Sequence, residues 1–155
     1  MNLDKYDLKV SENYVAFRFT STGKNGKILK GVLFSFIEEV GVWNLAFGDI
    51  DAMTGEINDL NVSDNGDSEK ILATVAQATL FFSDNYPDAI IYAEGSTISR
   101  TRLYQMGISK NFDEISKTFS VQGLLHDKWY SFQKNTNYLA FVIQRNPNTL
   151  ILSSY

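Results

Sequence analysis

Cysteine is absent from this sequence of 155 residues, and histidine occurs once, at His126. The lack of cysteine excludes disulfides, thiolate nucleophiles and cysteine-based zinc sites. A single histidine excludes a histidine cluster, and with no Gly-x-Ser-x-Gly segment nearby it gives no serine triad. We therefore expect a cytoplasmic protein with no metal and no cofactor.

Long apolar runs and excess positive charge are also lacking. No run approaches the roughly 18 apolar residues that a membrane-spanning helix needs. The first seven residues, M-N-L-D-K-Y-D, lack the apolar region of a secretory signal. The formal charge of −4 excludes the global basic character of a generic nucleic-acid binder. We expect neither a membrane nor a generic nucleic acid among the partners.

The composition is that of a folded protein, with 44% hydrophobic and 14% aromatic residues. The length predicts a single domain over 1–155, with a loose C-terminal tail over 146–155. The tail contains three consecutive apolar residues, Leu150, Ile151 and Leu152. Two alternatives stay open for them, which are folding back on the sheet and docking a partner.

The apolar periodicity predicts strands first, then strands mixed with helices. We predict strands over 14–20, 28–38, 42–47, 57–62, 89–93, 119–125 and 138–145, and helices over 68–83, 97–107 and 112–119. The unit over 57–107 reads strand, helix, strand, helix and predicts a parallel, right-handed crossover. The predicted fold class is α/β (α+β), a mixed and mostly antiparallel sheet of about six to eight strands with two to three helices.

The stretch over 89–107 holds the candidate site, because an apolar strand runs into a Gly-Ser-Thr turn that opens a helix. Free N–H groups at a helix start bind anions, and an arginine one turn later adds a bidentate grip. The predicted ligand-binding residues are Gly95, Ser96, Thr97, Arg100 and Arg102. The alternative is a capped helix whose surface arginines pair with Glu94 or with the acidic stretch over 49–69.

Charged residues elsewhere favour solvated surfaces. Asp49 and Asp51 begin like a calcium loop, but Met53 and Thr54 occupy the positions that need an oxygen ligand and a glycine. The seven acids between Asp49 and Glu69 therefore predict an acidic face and no metal site. Basic residues of the first hairpin, Lys30 among them, are interpreted as a charged hairpin tip.

Two segments carry a family resemblance, N-G-D-S-E-K-I-L-A-T-V over 65–75 and G-S-T-I-S-R-T-R-L-Y-Q-M-G-I over 95–108. They resemble the core of a family of small uncharacterised bacterial proteins without an assigned activity. A more distant resemblance is to the GCN5-related N-acetyltransferase fold, whose helix motif is similar to residues 103–108. That resemblance implies Tyr104 as general acid toward a departing thiolate. The turn over 64–69 departs from that family because its three acids repel a pyrophosphate.

These observations leave several functions open. The leading hypothesis is a non-catalytic binding module that recognises, at the turn over residues 96–102, an anionic small molecule, a nucleotide, or a phosphorylated or acidic segment of a partner protein. The alternative is a degenerate acyl-coenzyme A-dependent N-acyltransferase-like enzyme, with Tyr104 as acid and Glu94 as base. A third hypothesis is a structural partner of a neighbouring gene product. A homo-oligomer also stays open.

Overall fold

A computed structural model describes residues 4–58 and 64–146 of the chain. All but the first residue of the predicted tail over 146–155 lies outside these residues, and so does most of the strand predicted over 57–62. Within the described part, no helix is long and apolar enough to cross a membrane.

The N-terminal part forms an antiparallel meander. Its strands are β1 (Lys9–Val10), β2 (Ala16–Gly23), β3 (Gly26–Ile37), β4 (Val42–Ile50) and β5 (Ile57–Asn58). In register, Phe17 lies opposite Val32, and Val32 lies opposite Phe47. These three side chains are buried, and they occupy the inward phase of each strand's alternation.

The C-terminal part contains all three helices of the described residues. The elements are α1 (Ser68–Asn85), β6 (Ile90–Ala93), α2 (Ile98–Lys110), α3 (Phe112–Thr118), β7 (Phe119–Leu125), β8 (Lys128–Ser131) and β9 (Phe141–Arg145). Pro87 follows the C-terminus of α1, where a proline prevents the helix from continuing. The predicted and observed residues of β7 coincide.

The strand order is β1-β2-β3-β4-β6-β9-β7-β8, with β5 also paired to β4. Among the described strands, β4 and β6 form the only parallel pair. The predicted mixed, mostly antiparallel α+β sheet is therefore confirmed. The predicted origin of the crossover was wrong, because β5 is antiparallel to β4 and the parallel crossover starts from β4 itself. Of the strand predicted over 57–62, the structure describes Ile57 and Asn58, which form β5 and pair with β4.

The three helices cover one face of the sheet. Phe34 of β3 stacks on Phe82 of α1 with ring centroids 4.2 Å apart, and both side chains are buried. Alternate residues of the strands point to the opposite face, which we name the outer face. On it, the rings of Tyr92 of β6 and Trp129 of β8 pack edge to face, with their centroids 6.2 Å apart. The candidate site residues lie where β6 leaves the sheet to enter α2.

Candidate functional site

The parallel pair ends early, and this creates a gap at the carboxyl end of β6. The register runs from Trp43 opposite Ile91 to Leu45 opposite Ala93. Beyond that point β4 continues to Ile50, whereas the chain after β6 turns through residues 94–97 into α2. We name this gap the junction. Ligands of open sheets bind in such places, at the carboxyl ends of strands.

Arg100 closes the junction from the side of α2. Its side chain is buried, at 3% exposure, and Nη1 donates a hydrogen bond to the carbonyl oxygen of Phe47. The guanidinium carbon also lies 5.2 Å from the centroid of the Phe47 ring. Arg100 therefore binds β4 at a point where the parallel ladder no longer continues.

Arg102 lies on the opposite side of α2. Two residues correspond to roughly 200° of rotation around an α-helix, and the side chain of Arg102 is exposed whereas that of Arg100 is buried. Within the part of the chain that the structure describes, Arg102 makes no ion pair. The structure therefore does not bring the two guanidinium groups together for a common grip on one anion.

Gly95 is needed for the approach of α2 to the turn. A Cβ at this position would lie 2.3 Å from the backbone nitrogen of Thr101 and 2.6 Å from Cβ of Arg100. The backbone N–H of Gly95 donates to Oγ1 of Thr101 at 3.0 Å. The helix itself thus occupies the space that a side chain at position 95 would need.

The hydroxyl residues of the turn lie at the surface. Oγ1 of Thr97 accepts a hydrogen bond from the backbone N–H of Arg100 at 3.1 Å, so Thr97 is the N-cap of α2. Ser96 and Thr97 are both exposed. Anion binding at residues 95–102 stays a prediction, and it depends on Arg102 and the exposed turn rather than on Arg100.

Lys30 and Asp49 form a buried ion pair next to the junction. Their side chains are 5% and 16% exposed, and Nζ of Lys30 lies 2.5 Å from Oδ1 of Asp49. This corrects two interpretations, since Lys30 is not part of a charged hairpin tip and Asp49 is not part of a solvated acidic face. The sequence pattern indicates the burial of Lys30, because in the alternation of β3 this residue lies on the same face as Val32 and Phe34.

The two residues proposed as acid and base lie on different sides of the sheet. Glu94 is exposed and accepts a hydrogen bond at 2.6 Å from the hydroxyl of Tyr92, whose side chain lies on the outer face. Burial, followed by the hydrogen bond and charge of Glu94, raises the pKa of Tyr92 to about 12. Tyr104 is buried among the helices. The structure therefore does not bring Glu94 and Tyr104 together as a catalytic pair.

The segment N-G-D over 65–67 has a structural role. The amide of Asn65 is buried, and Nδ2 donates to Oγ of Ser21 at 3.1 Å and to the carbonyl oxygen of Gly26 at 2.9 Å. Oδ2 of Asp67 accepts hydrogen bonds from the hydroxyls of Ser21 and Tyr6. These contacts attach the start of α1 to the β2–β3 hairpin.

Two exposed acids, Asp51 and Asp64, accept hydrogen bonds from backbone N–H groups. Backbone N–H groups of Met53 and Thr54 donate to Oδ1 of Asp51 and hold the pKa of that carboxyl below its usual value. The same effect at Asp64 comes first from the N–H of Gly66. Within residues 4–58 and 64–146, no group of three or more acids or histidines is arranged to hold a metal ion.

An apolar cleft lies between the helices and the sheet. Its volume is about 170 Å³. Leu45 and Ala93, the last partners of the parallel pair, belong to its lining. The wall consists mainly of apolar side chains from the three helices and the neighbouring strands, among them Leu72, Val75, Ala76, Leu80, Tyr104, Ile108, Ile115 and Phe119. We name it the helix cleft.

A polar groove adjoins the helix cleft at the C-terminal end of α2. The two share Leu72, Gly107 and Asn111, and the groove has a volume of about 470 Å³. Lys110 and Lys134 belong to its lining. Lys110 pairs with Glu69, whereas Lys134 is exposed and has no ion-pair partner in the described residues. Sequence reasoning missed this surface, because its residues come from distant segments.

Comparison with known proteins gives a family and no activity. A family model described as a family of unknown function (DUF6934) matches residues 2–146. No curated protein and no solved structure matches the chain. Function therefore has to be inferred from the geometry described above.

Proposed function

We propose that this chain, which belongs to the DUF6934 family of unknown function, is a binding module for an amphiphilic anion. One observation carries the proposal, which is that the apolar helix cleft adjoins a polar groove whose lining includes two lysines, with Leu72, Gly107 and Asn111 in the walls of both. An apolar chain in the cleft and an anionic head in the groove would match both surfaces. The cytoplasmic location predicted from the lack of cysteine is part of this proposal.

The chemistry of the two surfaces supports such a ligand. Small-molecule sites are typically apolar pockets with a few polar groups that orient the ligand. Each methylene buried in the cleft contributes about 0.8 kcal/mol. At the head, Lys134 offers an exposed ammonium group, and Lys110 can bind an anion if its contact with Glu69 is exchanged.

The proposal keeps the anionic ligand of the leading hypothesis and moves it to the other end of α2. The turn over 95–97 precedes this helix, whereas Lys110 is its last residue. The reason for the move is Arg100, whose guanidinium group is buried against Phe47. Arg102 faces solvent on the far side of the helix from Arg100.

Thermal unfolding with three alkyl probes tests the proposal. Dodecanoate, dodecanol and dodecyltrimethylammonium share one chain and differ in head charge. Below its micelle concentration or solubility limit, a ligand of the folded state raises the melting temperature by an amount that grows with the logarithm of its excess over Kd. We expect the largest increase with dodecanoate, and Lys134→Ala should reduce this increase without affecting that caused by dodecanol.

The replacement of alanine by leucine at two positions gives a matched pair of variants. Ala76→Leu places a larger side chain in the helix cleft and should abolish binding, whereas Ala52→Leu, in an exposed turn, should leave it unchanged. Equal stabilisation of both variants by dodecanoate would contradict the proposal. So would the absence of any stabilisation of the original chain by dodecanoate.

The second candidate is an acyl-coenzyme A-dependent N-acyltransferase-like enzyme. Two observations favour it, the order β4-β5-α1-β6-α2 with β4 parallel to β6, and the position of Tyr104 in the cleft wall. The acetyltransferase resemblance implies that this tyrosine protonates the departing thiolate. Glu94 is no longer part of this candidate, because it lies on the outer face with Tyr92.

Acetyl-coenzyme A separates the two candidates. The enzyme requires stabilisation by acetyl-coenzyme A and release of free thiol when a polyamine is added, and Tyr104→Phe should lower the release while binding persists. The absence of any thermal shift at millimolar acetyl-coenzyme A would exclude the enzyme. Binding without thiol release would favour the binding module.

A further inference from the structure

Gln105 of α2 is a buried polar residue in the wall of the polar groove. It is 8% exposed, and it belongs to the lining of the groove. Its Oε1 accepts a hydrogen bond from the backbone N–H of Tyr138 at 3.3 Å. A backbone N–H can only donate, so this contact determines which branch of the amide is the oxygen and leaves Nε2 on the other branch.

The amide nitrogen of Gln105 has donors that the fold does not use. Within the part of the chain that the structure describes, Nε2 makes no hydrogen bond. It carries two N–H donors, and polar side chains inside a protein normally use theirs. Since Gln105 lines the polar groove, these donors are left for a group that enters the groove and accepts hydrogen bonds.

The loop after β8 is held in place by Tyr138. The hydroxyl of Tyr138 accepts a hydrogen bond from the backbone N–H of Gln133 at 3.0 Å and donates to the carbonyl oxygen of Ser131 at 3.4 Å. Its ring lies over Gly123, where a Cβ would come within 2.3 Å of the ring. The loop between these contacts carries Lys134, which also lines the groove. The groove wall therefore presents an amide donor and a cation before any ligand arrives.

We propose that Gln105 determines which head group the polar groove binds, and that this head group is an oxyanion, either a carboxylate or a phosphate. Nε2 of Gln105 and Nζ of Lys134 are both donors, and neither can accept a hydrogen bond. An oxyanion accepts from both, whereas an alcohol brings its own O–H and a quaternary ammonium cannot accept at all. The oxyanion contact can be tested by itself. Its place in an amphiphilic ligand rests on the proposed function.

NMR spectroscopy of the original chain tests the contact directly. The side-chain amide signals of Gln105 are followed during titration with acetate, with inorganic phosphate, and with sodium chloride at equal ionic strength. We expect a saturable shift with acetate or with phosphate and none with sodium chloride, and the larger response identifies the head group. The amide signals of Gln122, which is exposed on the outer face, should not move. No shift at Gln105 with either oxyanion, or equal shifts at Gln105 and Gln122, would overturn the proposal.

Gln105→Glu gives a second measurement, because it keeps the acceptor for the N–H of Tyr138 and replaces the donor toward the groove by an anionic oxygen. Melting temperatures over a range of concentrations of the same three alkyl probes give each Kd. We expect dodecanoate to bind about tenfold more weakly, whereas dodecanol and dodecyltrimethylammonium should bind no more weakly than before. Gln122→Glu adds the same charge on the outer face and should leave all three unchanged. Unchanged dodecanoate binding by Gln105→Glu, or an equal loss in both variants, would overturn the proposal.

The role of Gln105 and the proposed function fail in different ways. Shifts of the Gln105 signals by acetate or phosphate, without stabilisation of the original chain by dodecanoate, would support the oxyanion contact and refute the amphiphilic ligand. Dodecanoate binding that Ala76→Leu abolishes and Gln105→Glu leaves unchanged would refute the role of Gln105 and leave the proposed function supported.

Discussion

The junction and the helix cleft lie next to the same strand pair, yet one is filled and the other is open. At the junction, Arg100 donates to Phe47 where β4 and β6 separate, and the buried Lys30–Asp49 pair lies beside it. In the cleft, Leu45 and Ala93 contribute to an apolar wall that leaves a volume of about 170 Å³.

The difference has a physical cause. A buried cation requires partners, because its desolvation costs several kcal/mol otherwise. Arg100 therefore uses its hydrogen-bonding capacity inside the fold. Apolar side chains need no hydrogen-bond partners, so an opening between them can remain unfilled. A charged residue in a sequence can thus connect two elements of the fold instead of binding a ligand.

The largest effect should come from Gly95→Ala at the junction. The new Cβ would lie 2.3 Å from the backbone nitrogen of Thr101, which cannot move without shifting α2. We expect a loss of about 3 kcal/mol in the free energy of unfolding, measured by urea denaturation. Ser99→Ala, at an exposed position of the same helix, should change it by less than about 0.5 kcal/mol. A tolerated Gly95→Ala would mean that the turn and α2 are not in close contact.

The same substitution, arginine to methionine, at two positions of α2 compares a buried cation with an exposed one. Arg100→Met leaves the buried carbonyl oxygen of Phe47 without this donor and should reduce the free energy of unfolding by about 2 kcal/mol. Arg102→Met, on the exposed side, should reduce it by less than about 0.5 kcal/mol. Chemical denaturation of both variants measures the difference. Equal losses would show that Arg100 does not close the junction.

The cleft should respond in the opposite direction. Ala76→Leu adds apolar volume to an existing opening and should raise the free energy of unfolding by about 1 kcal/mol. The same exchange at the exposed Ala52 should have no measurable effect. Thermal unfolding without ligand distinguishes the two variants. A destabilised Ala76→Leu chain would show that the cleft has no room for the larger side chain.

The smallest effect is a pH dependence on the outer face. The pKa of Tyr92 is raised to about 12 by burial and by Glu94, so the folded state holds this proton more tightly than the unfolded state, whose pKa is the ordinary 10.0. The stabilisation is complete below pH 10.0 and is lost as the pH rises toward 12. Urea denaturation at alkaline pH should show a steeper loss for the original chain than for Tyr92→Phe. Equal slopes would contradict the raised pKa.

Much of the fold was predictable, because it depends on local periodicity. Alternation gave β2 to β4 and the residues of β7, and the helical spacing after Ser68 together with Pro87 gave α1. The origin of the parallel crossover was not predictable, since alternation does not show which strands pair with each other. The site was less predictable, because both the partner of Arg100 and the cleft wall depend on residues far apart in sequence.

The sequence by itself determined the class of fold, since periodicity acts at short range, and its lack of cysteine excluded disulfides and thiolate chemistry. It also determined that a Gly-Ser-Thr turn would open a helix, because Thr97 caps that helix with its own side chain. Only the tertiary structure decided that Arg100 turns inward to Phe47, that Lys30 meets Asp49, and that the helices leave an apolar opening. Those outcomes depend on where β4 and β6 part, and strand separation is a property of the assembled sheet.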